Sequence, residues 1–178
     1  RVVLRYKPSE DSSVYASYTK GYKAGILNVG GYSQQPVKPE KINAFEVGYK
    51  FDNRVFQVDL AGFYYDYKNL QVSSYQDGAA QIRNAASSEI YGAEAQLRYK
   101  VTSDFTINGG VAWTHARYKS FENAPYYSYC DPAAAADFTN PLNCAFSGTQ
   151  SPGGIVQAST DASGFKMQRA PEFTGNIG

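Results

Sequence analysis

Three successive stretches of this chain place two aromatic residues eight positions apart on one face of an extended strand. Phe56 and Tyr64 enclose Val58, Leu60 and Gly62; Tyr91 and Tyr99 enclose Ala93, Ala95 and Leu97; Phe105 and Trp113 enclose Ile107, Gly109 and Val111. The intervening positions are small or polar: Gln57, Asp59 and Ala61, then Glu94, Gln96 and Arg98, then Thr106, Asn108, Gly110, Ala112 and Thr114. A period of two gives a strand with two distinct faces. A soluble sheet with one wetted face also alternates, but its core face carries large aliphatics. Alanine and glycine between rings pack poorly against a second sheet.

The spacing has a natural length scale. Eight residues at ~3.3 Å each, on a strand tilted by ~40°, rise about 20 Å, close to the roughly 25 Å apolar band of an outer-membrane barrel. Aromatic girdles edge that band, because ring bodies prefer hydrocarbon and their polar edges prefer water. Phe56, Tyr64, Tyr91, Tyr99, Phe105 and Trp113 are therefore expected at the two membrane interfaces.

Strand patterns fall near residues 1–7, 14–22, 41–52, 54–68, 89–101, 105–118 and 170–178, and no helical periodicity competes with them. Short turns at 8–13, 52–53 and 102–104 are rich in turn formers. They alternate with longer, irregular segments at 23–40, 69–88 and 119 to about 169. Tyr-Lys closes the strand before each short turn, at Tyr6-Lys7, Tyr49-Lys50 and Tyr99-Lys100. The pattern predicts an all-β, antiparallel up-and-down transmembrane β-barrel. Bacterial barrels have even strand counts from eight upward, so about seven strands read as a slice of a larger one. Both ends of the chain look strand-like. Open edges in lipid would leave backbone groups unpaired, so further strands are expected outside this segment.

Composition narrows the function classes. Among 178 residues there are 16 Tyr and 10 Phe but one Trp and one Met, and the formal net charge is +1. Without a basic excess, a nucleic-acid partner has no electrostatic support. No apolar run reaches the 18 residues of a transmembrane helix. Cys130 and Cys144 stand close together in an Ala/Pro/Asn-rich region, with no further cysteine or nearby histidine at metal-ligand spacing. They are expected to form a local surface-loop disulfide, which implies an oxidising compartment; no metal site is expected.

Several phrases, in order along the chain, resemble the barrel of TonB-dependent outer-membrane receptors: "VYASYTKGYKAG" (14–25), "PEKINAFEVGYK" (39–50), "FYYDYKNLQV" (63–72), "RNAASSEIYGAEAQL" (83–97) and "RAPEFTGNIG" (169–178). The resemblance implies a 22-stranded barrel around an N-terminal plug. Residues 1–178 would be a partial barrel domain, with 119–168 a long extracellular loop. The plug, the TonB-contacting box and the remaining strands would lie outside the segment.

It also implies active import of a scarce nutrient, such as a ferric siderophore or other metal chelate, in the bacterial cell outer membrane. Energy would come from the TonB-ExbB-ExbD system through the plug. The candidate ligand residues are the tyrosine-rich positions on the long-loop side: Tyr22, Lys23, Tyr32, Tyr75, Gln76, Tyr126, Tyr127 and Tyr129. Tyrosine supplies large contact area at low entropic cost. His115 and Arg117 continue the lipid-facing parity beyond Trp113, at the level of outer-leaflet headgroups. There a cation would meet membrane lipid and lipopolysaccharide phosphates. No nucleophile has an acid–base partner at legible spacing, so an enzyme is not expected, and no cofactor is implied. A passive porin would share the girdles and polar lumen and stands as the alternative.

Overall fold

The computed structural model describes residues 1–27, 36–76, 79–122, 124–129 and 155–178. No helix occurs among them. The strands are β1 (Val2–Tyr6), β2 (Ser12–Lys23), β3 (Glu40–Asp52), β4 (Phe56–Gln76), β5 (Ala79–Lys100), β6 (Thr106–Ser120), β7 (Ala124–Tyr129), β8 (Ile155–Thr160) and β9 (Phe173–Ile177). Seven form one antiparallel sheet in the order β1-β2-β3-β4-β5-β6-β9, while β7 and β8 pair as a separate hairpin. Each strand pairs with its sequence neighbour until β6, where the hairpin interposes before β9. The result is an open meander edged by β1 and β9.

Side-chain chemistry closes the short turns. The Asn53 Oδ1 accepts from the backbone N–H groups of Val55 at 2.9 Å and Phe56 at 2.7 Å. The Thr102 Oγ1 accepts likewise from Asp104 at 3.3 Å and Phe105 at 3.0 Å. Such Asx and ST turns replace ladder bonds where the chain reverses. Phe105 consequently belongs to the turn, its carbonyl accepting from Val101 and Thr102, and β6 starts one residue later than the sequence pattern suggests.

Directly opposed residues share a face, so the register gathers the alternating positions into continuous surfaces. Tyr18, Phe45, Tyr64, Tyr91 and His115 are successive partners across β2 to β6. Within this row Tyr18 and Phe45 form a tilted pair with centroids 4.8 Å apart, and the rings stack at 6.5 Å for Tyr64–Tyr91 and 4.6 Å for Tyr91–His115. Trp113 sits edge-on to Tyr91 at 5.9 Å. Toward the short turns a second aromatic set joins Phe51, Phe56 and Tyr99, with centroids 6.3 and 6.2 Å apart. Between the two runs a band of Val14, Val47, Leu60, Ala95 and Val111. This entire face is free of charge from one aromatic set to the other.

The opposite face is polar but less uniformly small than the alternation suggests. The Tyr15 hydroxyl donates to Glu46 Oε1 at 2.7 Å, and Lys50 meets Asp59 at 3.3 Å. Large rings also lie here, with Phe63 stacked on Tyr65 at 5.1 Å. The Tyr15 ring lies across Gly48 so closely that any Cβ there would collide with it. Glycine at that position is a seat for the ring.

Two expected irregular connections contain strand. Most of the described residues of 69–88 extend the β4–β5 ladder, which runs unbroken in register from Phe56↔Tyr99 to Lys68↔Ser87 and from Leu70↔Ala85 to Gln76↔Ala79. Asn69 interrupts it with a positive φ of 55°, a left-handed conformation that asparagine tolerates better than most residues. Within 119–169, the β7–β8 hairpin occupies part of the expected loop. At β5–β6 the register shifts between Ser87 and Ser88, so that Lys119 is an extra residue on β6, a bulge that re-aims a side chain.

Candidate functional site

All the long connections leave one end of the sheet, and the candidate ligand residues that the structure describes lie there. Tyr22 and Lys23 end β2, on opposite faces: Tyr22 opposes Lys41, and Lys23 opposes Glu40. Tyr22 is 81% exposed. Tyr75 and Gln76 lie at the far tip of β4, opposite Ala80 and Ala79. Tyr126, Tyr127 and Tyr129 are all on β7, with Tyr126 and Tyr129 exposed. Tyr32, Cys130 and Cys144 lie outside the described residues.

Two devices fix this end. The first is a small hydrophobic core formed by Tyr118, Phe121, Ala124 and Ala162, against which Leu70, Val72 and Met167 pack. It ties the base of the β7–β8 hairpin to β6 and to the β4 extension. Burial pushes the Tyr118 phenol above its ordinary pKa, opposed by a hydrogen bond with the Gln168 backbone. Beyond β8, the Asp161 carboxylate accepts the Ser163 N–H at 2.8 Å. Hydrogen bonds from the Ser163 hydroxyl and N–H hold that carboxyl below the usual aspartate range. The turn then reverses at Gly164, whose φ of 79° suits glycine.

The second device straps the described ends of the 24–39 connection to the β4–β5 extension. Gln71 Nε2 donates to the carbonyls of Ala24 at 2.9 Å and Lys38 at 3.3 Å, while its own N–H donates to Glu40 Oε2 at 2.8 Å. Asn84 Nδ2 donates to the carbonyls of Lys38 at 3.0 Å and Asn69 at 2.8 Å, and Asn84 Oδ1 accepts from the Lys38 N–H at 2.7 Å. The Ile26–Val37 bridge closes the neck of the connection, with Val37 buried. Gln71 and Asn84 escaped the sequence reading. Their signal is an amide in each of two stretches, "NLQV" and "IRNA", that the register sets opposite one another.

His115 and Arg117 lie beyond Trp113 as expected, but they serve each other. Arg117 Nε donates to His115 Nε2 at 3.1 Å, and its Nη1 donates to the Gly164 carbonyl at 2.8 Å. Among the described residues no cluster of His, Cys, Asp and Glu has the arrangement to hold a metal ion.

A bipolar meander with aromatic-edged faces and one elaborated end is a recurrent membrane-barrel plan, and comparison with known proteins names the lineage. The family model for the TonB-dependent receptor-like β-barrel matches residues 1–178. The chain belongs to this family. Curated relatives include the pesticin receptor of Yersinia enterocolitica, 26% identical over 111 residues, which is 60% of this chain and 16% of that protein. A probable TonB-dependent siderophore receptor, PiuA of Acinetobacter baumannii, is 26% identical over 120 residues, covering 62% and 16% respectively. The chain spans about a sixth of the length of these curated relatives.

Solved receptor structures share the fold. The ferric yersiniabactin uptake receptor FyuA of Yersinia pestis superposes with a TM-score of 0.57 at 20% identity, over 65% of this chain and 18% of that one. The siderophore receptor PirA of Pseudomonas aeruginosa gives 0.53 at 16% identity, over 70% and 28%. The seven-stranded sheet thus has the antiparallel architecture of a sector of such a barrel.

Proposed function

We propose that the chain is a sector of an outer-membrane receptor that imports a ferric siderophore or similar metal chelate by TonB-coupled transport. The observation that carries this reading is the apolar band held between two aromatic sets, backed by a polar face and matched to the receptor family along its whole length. In this reading the apolar face meets lipid, and the polar face looks into the barrel toward a plug supplied by other parts of the protein. The end carrying β7–β8 and the Gln71–Asn84 strap faces outward. Tyr22, Lys23, Tyr126 and Tyr129 then belong to the ligand-recognition rim, with Tyr32, Tyr75, Gln76 and Tyr127 assigned to it by position in the chain. The girdle comprises Phe56, Tyr64, Tyr91, Tyr99, Phe105 and Trp113, and a Cys130–Cys144 disulfide would brace the outer loop. The receptor family favours gated import over a passive pore, and binding with conformational gating requires no covalent chemistry from this segment.

The test is uptake of radiolabelled ferric siderophores by cells carrying the full-length gene. Accumulation that needs both a functional TonB and an energised inner membrane is expected. Accumulation that persists without TonB would mean a passive pore and sink the reading.

A further inference from the structure

Above the upper aromatic row, the face that carries the girdle becomes charged, and its charges are unevenly compensated. The first register row beyond the rings holds Lys20, Asn43, Asp66, Glu89 and Arg117; the next holds Tyr22, Lys41, Lys68 and Ser87. Each row sets one like-charged pair directly face to face across a ladder. Asp66 opposes Glu89, and Lys41 opposes Lys68. Like charges directly opposite destabilise a sheet.

The fold answers only the acidic pair. The bulge residue Lys119 reaches back to Asp66 at 3.7 Å and to Glu89 at 3.5 Å, spanning both carboxylates. Arg117 is held by His115 and the Gly164 carbonyl. Lys41 and Lys68 have no carboxylate within ion-pair distance among the described residues, and neither does Lys20 one row below. All three are exposed. The two nearest acids on that face are already occupied by Lys119.

Height identifies the missing counter-ion. Lys68 lies four residues beyond Tyr64, which on a tilted strand is about 10 Å above the ring row. That is the headgroup layer, on the surface that faces lipid. We propose that Lys20, Lys41 and Lys68 form a clamp for the phosphoryl groups of an outer-leaflet phosphorylated glycolipid, which supplies the anion that the described residues do not. The clamp rests on the outer-membrane reading given above, and it falls on different residues from the His115–Arg117 pair that the sequence pattern suggests.

The experiment uses the full-length receptor, purified in detergent and stripped of co-purifying lipid. It is titrated with bisphosphorylated lipid A, with the same lipid after enzymatic dephosphorylation, and with inorganic phosphate. Dissociation constants come from native mass spectrometry, and unfolding temperatures are followed in parallel. The double variant K41Q/K68Q should bind the phosphorylated lipid about 25-fold more weakly, at roughly fivefold per lysine near an anionic lipid surface, with affinity for the dephosphorylated lipid unchanged. Lys41→Glu converts the like-charged pair into an opposite pair. It should therefore raise the lipid-free unfolding temperature while abolishing the further rise on adding phosphorylated lipid.

Unchanged lipid affinity in K41Q/K68Q, or no lipid-free rise in K41E, would overturn the clamp. So would full competition by inorganic phosphate at matched phosphate concentration, which would assign the site to the free anion. Siderophore uptake is measured separately on the wild-type receptor. Its absence would count against transport and leave the lipid result standing, whereas normal uptake with unchanged lipid affinities would count against the clamp alone.

Discussion

At the scale of single residues, face assignment makes the sharpest demand. Ala95 and Gln96 are adjacent, but Ala95 opposes Leu60 and Val111 within the apolar band, whereas Gln96 opposes Asp59 and Gly110. Arginine at Ala95 should cost roughly 2–4 kcal/mol as a charge near the bilayer midplane. Arginine at Gln96 should cost far less. Folding titrations into lipid vesicles measure both, and equal costs would refute the assignment. On the other face, Gly48→Ala should cost about 1–3 kcal/mol, because its methyl group enters the space of the Tyr15 ring. In a Tyr15→Ala background that cost should fall by more than half. A double-mutant cycle reads the coupling directly.

Residue-scale reading of the sequence succeeded where one rule governs. Alternation alone identifies the apolar set from Leu60 through Ala95 to Val111, because a half-buried strand has no other way to sort its side chains. It failed where a partner across the sheet decides. Gly48 looks like an inert small residue until Tyr15 is laid over it, and His115 looks like a free cation carrier until Arg117 donates to it. Neither relation has a fixed spacing in the chain.

Elements show the same division. The seven sheet strands were legible because β2 to β6 are long, at 12 residues or more, and turn formers such as Asn53 and Thr102 separate them. The β4–β5 extension was not, since Asn69 and the polar run after it imitate a loop while the ladder continues beneath. The β7–β8 hairpin was hidden because "APYYSY" lacks alternation and its partner strand is far along the chain. The strap across that extension is open to test. Gln71→Ala removes two hydrogen bonds to the Ala24 and Lys38 carbonyls, worth about 1 kcal/mol each. Amide exchange at Ile26 and Val37 should quicken roughly tenfold or more, while exchange in β3 stays unchanged. Acid provides an independent probe of the neighbouring turn. The folded pKa of Asp161 is depressed, so its bonds to Ser163 stabilise the turn above the ordinary aspartate pKa. That contribution disappears as pH falls through the lower, folded value. Exchange at Ser163 should rise over that window, and Asp161→Asn should remove the pH dependence.

For the whole molecule, the sheet and the outer end are separable constructions. Every ladder from β1 to β6 joins strands adjacent in sequence, so the sheet is specified without reference to the loops. The outer end instead rests on its own core at Tyr118 and Phe121 and on amide straps. Replacing the segment between β6 and β9 with a short turn in the full-length receptor should therefore preserve outer-membrane assembly and heat-modifiable migration on gels. Siderophore binding should be lost in the same variant. Loss of assembly would show that the hairpin is needed to align β9.

The excursion between β6 and β9 also bears on how such receptors diversify. Closing a flexible loop costs only about 0.6 kcal/mol more for each doubling of its length. The five pairs that dock β9, from Gly109↔Ile177 to Trp113↔Phe173, involve no residue of the segment inserted ahead of them. A lineage can thus lengthen, shorten or exchange this segment through recombination at its two anchored ends and test new cargoes on an unchanged wall.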